Sequence, residues 1–229
     1  MLLFYHELMV WIVSGLILIL FIFFFSTFLT FVKQKKKVTL YLMLNYLAFI
    51  IAMIFFNAAH ISTVLNGMTT DFYFHFSMLA NIFVMLGIIT NILFHSKFGE
   101  VKKSIKTIKI VFGFLIVGWL LLPFNYEVGV TTGFQLKYVT YTLMSLYGIV
   151  IYIGLTISFF KMAKMSSQSK KQVIALGLGS LIFLVYFIVI VIFGITQTFV
   201  FLLLSMICLY VSFLCYFLGI YLPKFKSKS

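Results

Sequence analysis

The sequence predicts an all-α membrane protein, a bundle of seven transmembrane helices with its N-terminus outside and its C-terminus in the cytoplasm. Three observations carry that prediction. Hydrophobic residues make up 64% of the 229-residue chain and charged residues 9%, with a mean hydropathy of +1.20; so little polar surface cannot cover a water-soluble globule. Apolar runs of roughly the 20 residues that a spanning helix needs follow one another at approximately 9–31, 38–60, 72–95, 108–124, 138–160, 173–195 and 198–222. Lysines gather in alternate connections: Lys33 and Lys35 to Lys37 in the first, Lys97 to Lys109 in the third, Lys161 to Lys171 in the fifth, and Lys224, Lys226 and Lys228 in the tail. Positively charged connections stay in the cytoplasm, so the charge pattern demands an odd number of spans and agrees with the count from hydropathy. The runs lack the alternation of barrel strands. The linkers are too short for a second domain, so residues 1–229 read as a single seven-helix unit.

The formal charge of +13 is explained by this placement. Basic clusters beside membrane spans set topology and touch anionic lipid headgroups, which makes the bilayer, and not nucleic acid, the partner that the charge implies.

The first run is too long for a signal-peptide core and reads as a retained anchor. Trp11, Ser14 and Gly15 interrupt its wall of Ile, Leu and Phe, and His6 and Glu7 just before it read as solvated interfacial residues. In the second run Tyr41, Asn45, Ala48, Ala52 and Ala59 share one helical face. Small residues let helices approach closely in lipid, and Asn45 is expected to reach a neighbour through a hydrogen bond of about 0.6–2 kcal/mol.

In the connection that follows, Asn66-Gly67 marks a turn, and Thr69, Thr70 or Asp71 can cap the third helix. Asp71 and His75 stand at i and i+4, with His60 nearby. Such a trio could bind a metal or sense pH, but a capping aspartate and an interfacial histidine explain the same letters, and no metal is assigned. The third run is the organising one. Ser77, Asn81, Asn91 and His95 fall in a stripe less than about 90° wide, which is expected to face protein and not lipid.

The fourth run is the shortest, with Pro123 at its end and Trp119 and Tyr126 as an interfacial aromatic belt. The loop 128–133 after it holds no acid pair or nucleophile set. On the fifth, Tyr138, Tyr141, Ser145, Gly148, Tyr152 and Thr156 lie within about 80° of one another. That lane of phenols and small residues can line a pocket or form an ordinary helix contact. Gly177, Gly179 and Ser180 soften the sixth run, only residues 194–197 separate it from the seventh, and Ser205, Cys208, Ser212, Cys215 and Gly219 make a small-residue seam. The two cysteines, about 10 Å apart along one helix, cannot bridge each other.

Chemistry at depth in a membrane needs ionisable groups there. All four acids and every lysine lie at or beyond the ends of the runs, and arginine is absent. There is no Gly-x-Ser-x-Gly elbow, and the two prolines sit at run ends and not in the broken helices of many carriers. The sequence therefore points away from an enzyme and implies no cofactor.

The predicted topology is that of rhodopsins and G-protein-coupled receptors, but 198–222 carry no lysine for a retinal Schiff base, and the third run ends Asn91-Ile92-Leu93-Phe94-His95-Ser96-Lys97 without the receptor motif. Leu44-Asn45-Tyr46-Leu47-Ala48-Phe49, Ala59-His60, Leu122-Pro123-Phe124-Asn125-Tyr126 and Leu218-Gly219-Ile220-Tyr221-Leu222-Pro223-Lys224 resemble uncharacterised archaeal seven-helix membrane proteins related to the N-terminal sensor regions of histidine kinases. In the kinase relatives a signalling domain follows the last helix; here the chain runs only to Ser229, so the resemblance implies output through a separate cytoplasmic partner.

The resulting expectation is a non-enzymatic sensor or receptor-like module of the cell membrane, whose third, fifth and seventh helices enclose a small, mostly apolar pocket. Asn81, Asn91, Tyr141, Ser145 and Tyr152 are the residues expected to orient a lipid-like or small neutral ligand. The alternative is a transporter or channel for a small neutral solute. A water-wide path between the two faces would favour transport, and a pocket closed toward the cytoplasm would favour sensing.

Overall fold

The computed structural model describes residues 2–67, 71–97, 103–122, 126–129, 133–136, 138–165, 170–196 and 198–221. Seven helices dominate them: α1 (Leu2–Gln34), α2 (Lys37–Asn66), α3 (Asp71–His95), α4 (Lys103–Leu120), α5 (Tyr138–Met165), α6 (Lys170–Thr196) and α7 (Phe199–Tyr221). All except α4 are long and apolar enough to cross a membrane, which makes this a helical, multi-pass membrane protein. The helices outrun the apolar sequences that announce them, because backbone hydrogen bonding continues into polar ends: α1 begins at Leu2 and α2 runs to Asn66.

The fourth helix is displaced from its expected bounds of 108–124. It spans 18 residues, about 27 Å at 1.5 Å per residue, and Lys103, Lys106 and Lys109 fall within its first seven. The architecture is all-α as expected, with one short β-hairpin after α4, in which β1 (Tyr126–Gly129) pairs antiparallel with β2 (Gly133–Leu136) in the register Tyr126↔Leu136 to Gly129↔Gly133. Tyr126, Val128 and Phe134 are residue types that suit strands. Thr69, Thr70, Pro123 and the tail lysines lie outside the described residues.

The chain divides into two compact units, Met1–Thr140 and Tyr141–Ser229. In the first, α1 packs on α2, α2 on α3, and α3 on α4. The tight turn from α1 to α2 uses Lys35 at φ 49°, whose N–H donates to the Phe31 carbonyl at 2.6 Å, the left-handed closure common at helix C-termini. Gly67, at φ 67°, ends α2 in the same way. Between α1 and α2 the Asn57 amide donates to Ser14 Oγ at 2.9 Å. Between α2 and α3 the Asn45 amide donates to the Gly87 carbonyl at 2.7 Å and to Thr90 Oγ1 at 3.3 Å, so Asn45 meets a neighbouring helix as its sequence context implies. Gly87 belongs at that crossing, since a Cβ there would stand 2.5 Å from the Phe49 ring.

In the second unit α6 and α7 form the expected tight hairpin. The small-residue seam is its packing face: Ser205, Cys208, Ser212 and Gly219 are buried. Ser212 Oγ donates to the Gly179 carbonyl at 2.7 Å, Ser180 Oγ and the Tyr216 hydroxyl lie 2.7 Å apart, and both cysteines are free. Helix α5 joins through rings. Tyr152 stacks on Phe183 with centroids 4.7 Å apart, and Gly148 makes room for Phe187, whose ring would stand 2.7 Å from an added Cβ.

Two glycines bracket what this packing demands. A Cβ at Gly219 would stand 2.7 Å from Leu176 Cγ and 3.0 Å from the Gln172 carbonyl oxygen, whereas one at Gly118 meets nothing within 4 Å. Gly219→Ala should therefore cost about 1–3 kcal/mol through overpacking, and Gly118→Ala should stay within about 0.5 kcal/mol of the parent. Unfolding in one detergent, followed by circular dichroism, checks both.

Candidate functional site

In lipid a helical serine or threonine normally closes its hydroxyl on the carbonyl three or four residues earlier, and most of the buried hydroxyls in this chain do so. Thr27 donates to the Phe23 carbonyl at 2.7 Å, Thr30 to that of Ser26 at 3.0 Å, Thr63 to that of Ala59 at 3.3 Å and Ser180 to that of Leu176 at 3.1 Å. Helix α5 departs from this habit. Thr142 Oγ1, Ser145 Oγ and Thr156 Oγ1 are buried atoms without a hydrogen-bond partner, and Ser145 is 0% exposed. At 100° per residue the three fall, with Tyr152, within about 80° of one another. One face of one helix thus holds three hydroxyls that find no hydrogen-bond partner among the described residues. Each such group costs about 1–3 kcal/mol where it stands.

The residues expected to bind a ligand divide as follows. Ser145 and Tyr152 share α5 in the second unit; the Tyr152 ring is fully buried and committed to its stack on Phe183. The side chain of Tyr141, also on α5, lies outside the described residues. Asn81 and Asn91 share α3 in the first unit, where the whole stripe of Ser77, Asn81, Asn91 and His95 is buried. The Asn81 amide donates to the Ser77 carbonyl of its own helix at 2.9 Å, so part of its bonding capacity is already used locally. Thr142 went unsingled by sequence reasoning, although it stands at the edge of the lane that names Ser145 and Thr156.

A second polar cluster sits at the N-terminal ends of α1 and α3 and the C-terminal end of α2. His6 is not a solvated interfacial residue but is 0% exposed, and its Nδ1 lies 2.7 Å from His60 Nδ1. The rings of Tyr5 and Tyr73 stand steeply inclined to the pair. Tyr5 stands 5.0 Å from His6 and 5.9 Å from His60, Tyr73 5.6 Å and 5.8 Å from the same rings. His6 Nε2 is buried and has no hydrogen-bond partner. Glu7 beside it is exposed, as expected, and so is His75. His60 therefore turns toward His6 and Tyr73, not toward His75; the side chain of Asp71 lies outside the described residues. Among the described residues no three of His, Cys, Asp and Glu gather as metal ligands do. The signal for the His6–His60 pairing was present in the sequence: two histidines at the same end of consecutive antiparallel segments.

No protein-family model, curated protein or solved structure matches this chain.

Removing a hydroxyl that bonds nothing relieves its desolvation. Ser145→Ala should raise the stability of the ligand-free protein by about 1 kcal/mol, read as a higher denaturation midpoint in a fixed detergent, whereas a comparable loss would show that the hydroxyl is bonded in the native state.

Proposed function

We propose that this chain is a non-enzymatic sensor or receptor-like module of the cell membrane, which holds a small neutral or lipid-like ligand against α5 and passes its state to a separate cytoplasmic partner. One observation carries the reading: the row of Thr142, Ser145 and Thr156 hydroxyls on α5, buried and without partners. Native proteins rarely leave buried polar atoms unpaired, and those they do leave call for an explanation. Thr142 and Ser145 stand about one helical turn apart and Thr156 about 16 Å further along the axis, so a ligand that is apolar over most of its surface and carries one or two hydrogen-bonding groups would meet the Thr142–Ser145 end, and only a long, lipid-like one would reach Thr156. The resemblance to histidine-kinase sensor regions supports the same reading, as does the placement of acids and lysines at the ends of the apolar runs, away from any depth at which they could serve catalysis or ion coupling.

In the proposed arrangement α4 is a seventh span, with the N-terminus outside. Lysines that lie near a helix end reach the interface by extending their stems, which lets α4 enter the bilayer despite Lys103, Lys106 and Lys109. The orientation is tested by single cysteines at two exposed positions, Asn66 at the end of α2 and Lys164 near the end of α5. In intact cells a membrane-impermeant maleimide should label Asn66→Cys and spare Lys164→Cys; the opposite pattern overturns the orientation.

Ligand binding is tested on the full chain in nanodiscs with two neutral single-chain amphiphiles, monoolein and 1-decanol, as probes. A probe that binds should stabilise the parent by about 2.7 kcal/mol at a hundredfold excess over Kd and should lose this effect on Ser145→Leu, which removes the hydroxyl and adds apolar bulk in its place. Glycerol flux into proteoliposomes should equal that of protein-free vesicles. A protein-dependent rise in flux would establish transport of a neutral solute in place of sensing.

A further inference from the structure

The His6–His60 pair belongs to the first unit and owes nothing to the α5 hydroxyls. Two imidazole nitrogens 2.7 Å apart are at hydrogen-bond separation, so one Nδ1 carries a proton and the other accepts it. A tetrahedral zinc ion with Zn–N bonds near 2.0–2.1 Å would hold two such nitrogens roughly 3.3 Å apart, and no third ligand joins them among the described residues. The ligand that this geometry fits is a proton.

We infer that His6 and His60 form a proton-operated latch that holds the N-terminal end of α1 against the C-terminal end of α2 and releases it on acidification. With both rings neutral, the bond has one donor and one acceptor. One added proton gives an imidazolium bonded to an imidazole, and the contact persists as a charge-assisted bond. A second added proton leaves an N–H on both facing nitrogens. The acceptor is then lost, two positive rings stand about 5.0 Å apart, and like charges at that range in a poorly screened site repel. The latch is closed when the pair carries at most one charge and open when it carries two, so acid opens it.

The surroundings offer no described counter-charge. From α1 the cluster is faced by Tyr5, with Glu7 adjacent in sequence and exposed; from α2 by no other titratable group among 57–66; from α3 by Tyr73, with His75 exposed. The tyrosines are neutral. Hence a doubly charged pair has no described anion to balance it and is relieved by separation or by water. Helix α1 is suited to move, because its extensive packing among the described elements is against α2. In the proposed orientation the latch faces the outside, which makes external acidity the stimulus it reads. It acts independently of ligand binding at α5, and the two are measured separately.

The test uses spin labels on the full chain in nanodiscs, at Leu3→Cys on α1 and Ile61→Cys on α2, both exposed, with Cys208→Ala and Cys215→Ala to remove other thiols. Double electron–electron resonance is recorded from about pH 7.5 to about pH 3, because the second proton has to enter a pair that already carries one charge. The parent distribution should shift to longer distances in acid, with or without a chelator. His60→Gln, which keeps a hydrogen-bonding side chain but cannot become charged, should hold the short distance throughout. His6→Gln reads the same prediction should the first variant fail to fold. A parent distribution that does not move with pH, or a glutamine variant that moves as the parent does, overturns the latch.

Discussion

Inside a bilayer there is no water to satisfy a polar group, and that constraint governs this structure. A hydroxyl or amide placed in hydrocarbon without a partner costs several kcal/mol, so each one on these helices is a demand that the fold must meet. Where the demand is met across helices, it fixes which helix lies beside which. The Asn45 amide on the Gly87 carbonyl joins α2 to α3, the Asn57 amide on Ser14 joins α1 to α2, and Ser212 on the Gly179 carbonyl, with Ser180 beside Tyr216, joins α6 to α7. Where it is met locally, as at Thr27, Thr30 and Thr63, the hydroxyl turns back on its own helix and contributes nothing to the choice of neighbour.

These bonds act only at short range, so close approach has to be arranged first. Lipid tails are as apolar as leucine, which leaves packing and hydrogen bonding as the forces that join helices. Glycines supply the approach. Gly87 receives the Phe49 ring and also offers its carbonyl to Asn45; Gly148 receives Phe187; Gly219 lies against Leu176. The same residues thus create the shape complementarity and expose the backbone acceptors that polar side chains need. Packing and polar satisfaction are not separate contributions here.

Some buried polar atoms are left without a partner among the described residues, Asn57 Oδ1 and His6 Nε2 singly and the three α5 hydroxyls as a row. The α5 hydroxyls are unspent hydrogen-bonding capacity in an apolar setting, and they carry the ligand-binding proposal. The His6–His60 pair is a satisfied contact whose satisfaction depends on a proton count, and it carries the latch.

Residue type and period alone determined the helical membrane class, the tight α6–α7 hairpin, the helix-to-helix role of Asn45 and the burial of Ser77, Asn81, Asn91 and His95, because apolar runs must span and polar stripes must avoid lipid. Tertiary structure decided the rest. Helix bounds moved because hydrogen bonding along the backbone ignores hydropathy: α1 and α2 extend past their apolar runs, and α4 takes in three lysines. The β1–β2 hairpin was hidden in four-residue stretches too short to show a period. Whether a buried hydroxyl bonds its own helix, as Thr27 does, or nothing, as Ser145 does, turns on side-chain rotation, which composition does not encode. And His6 lost its expected solvation because contacts 54 residues apart along the chain are set by how two helices cross, a property of the folded pair and not of either segment.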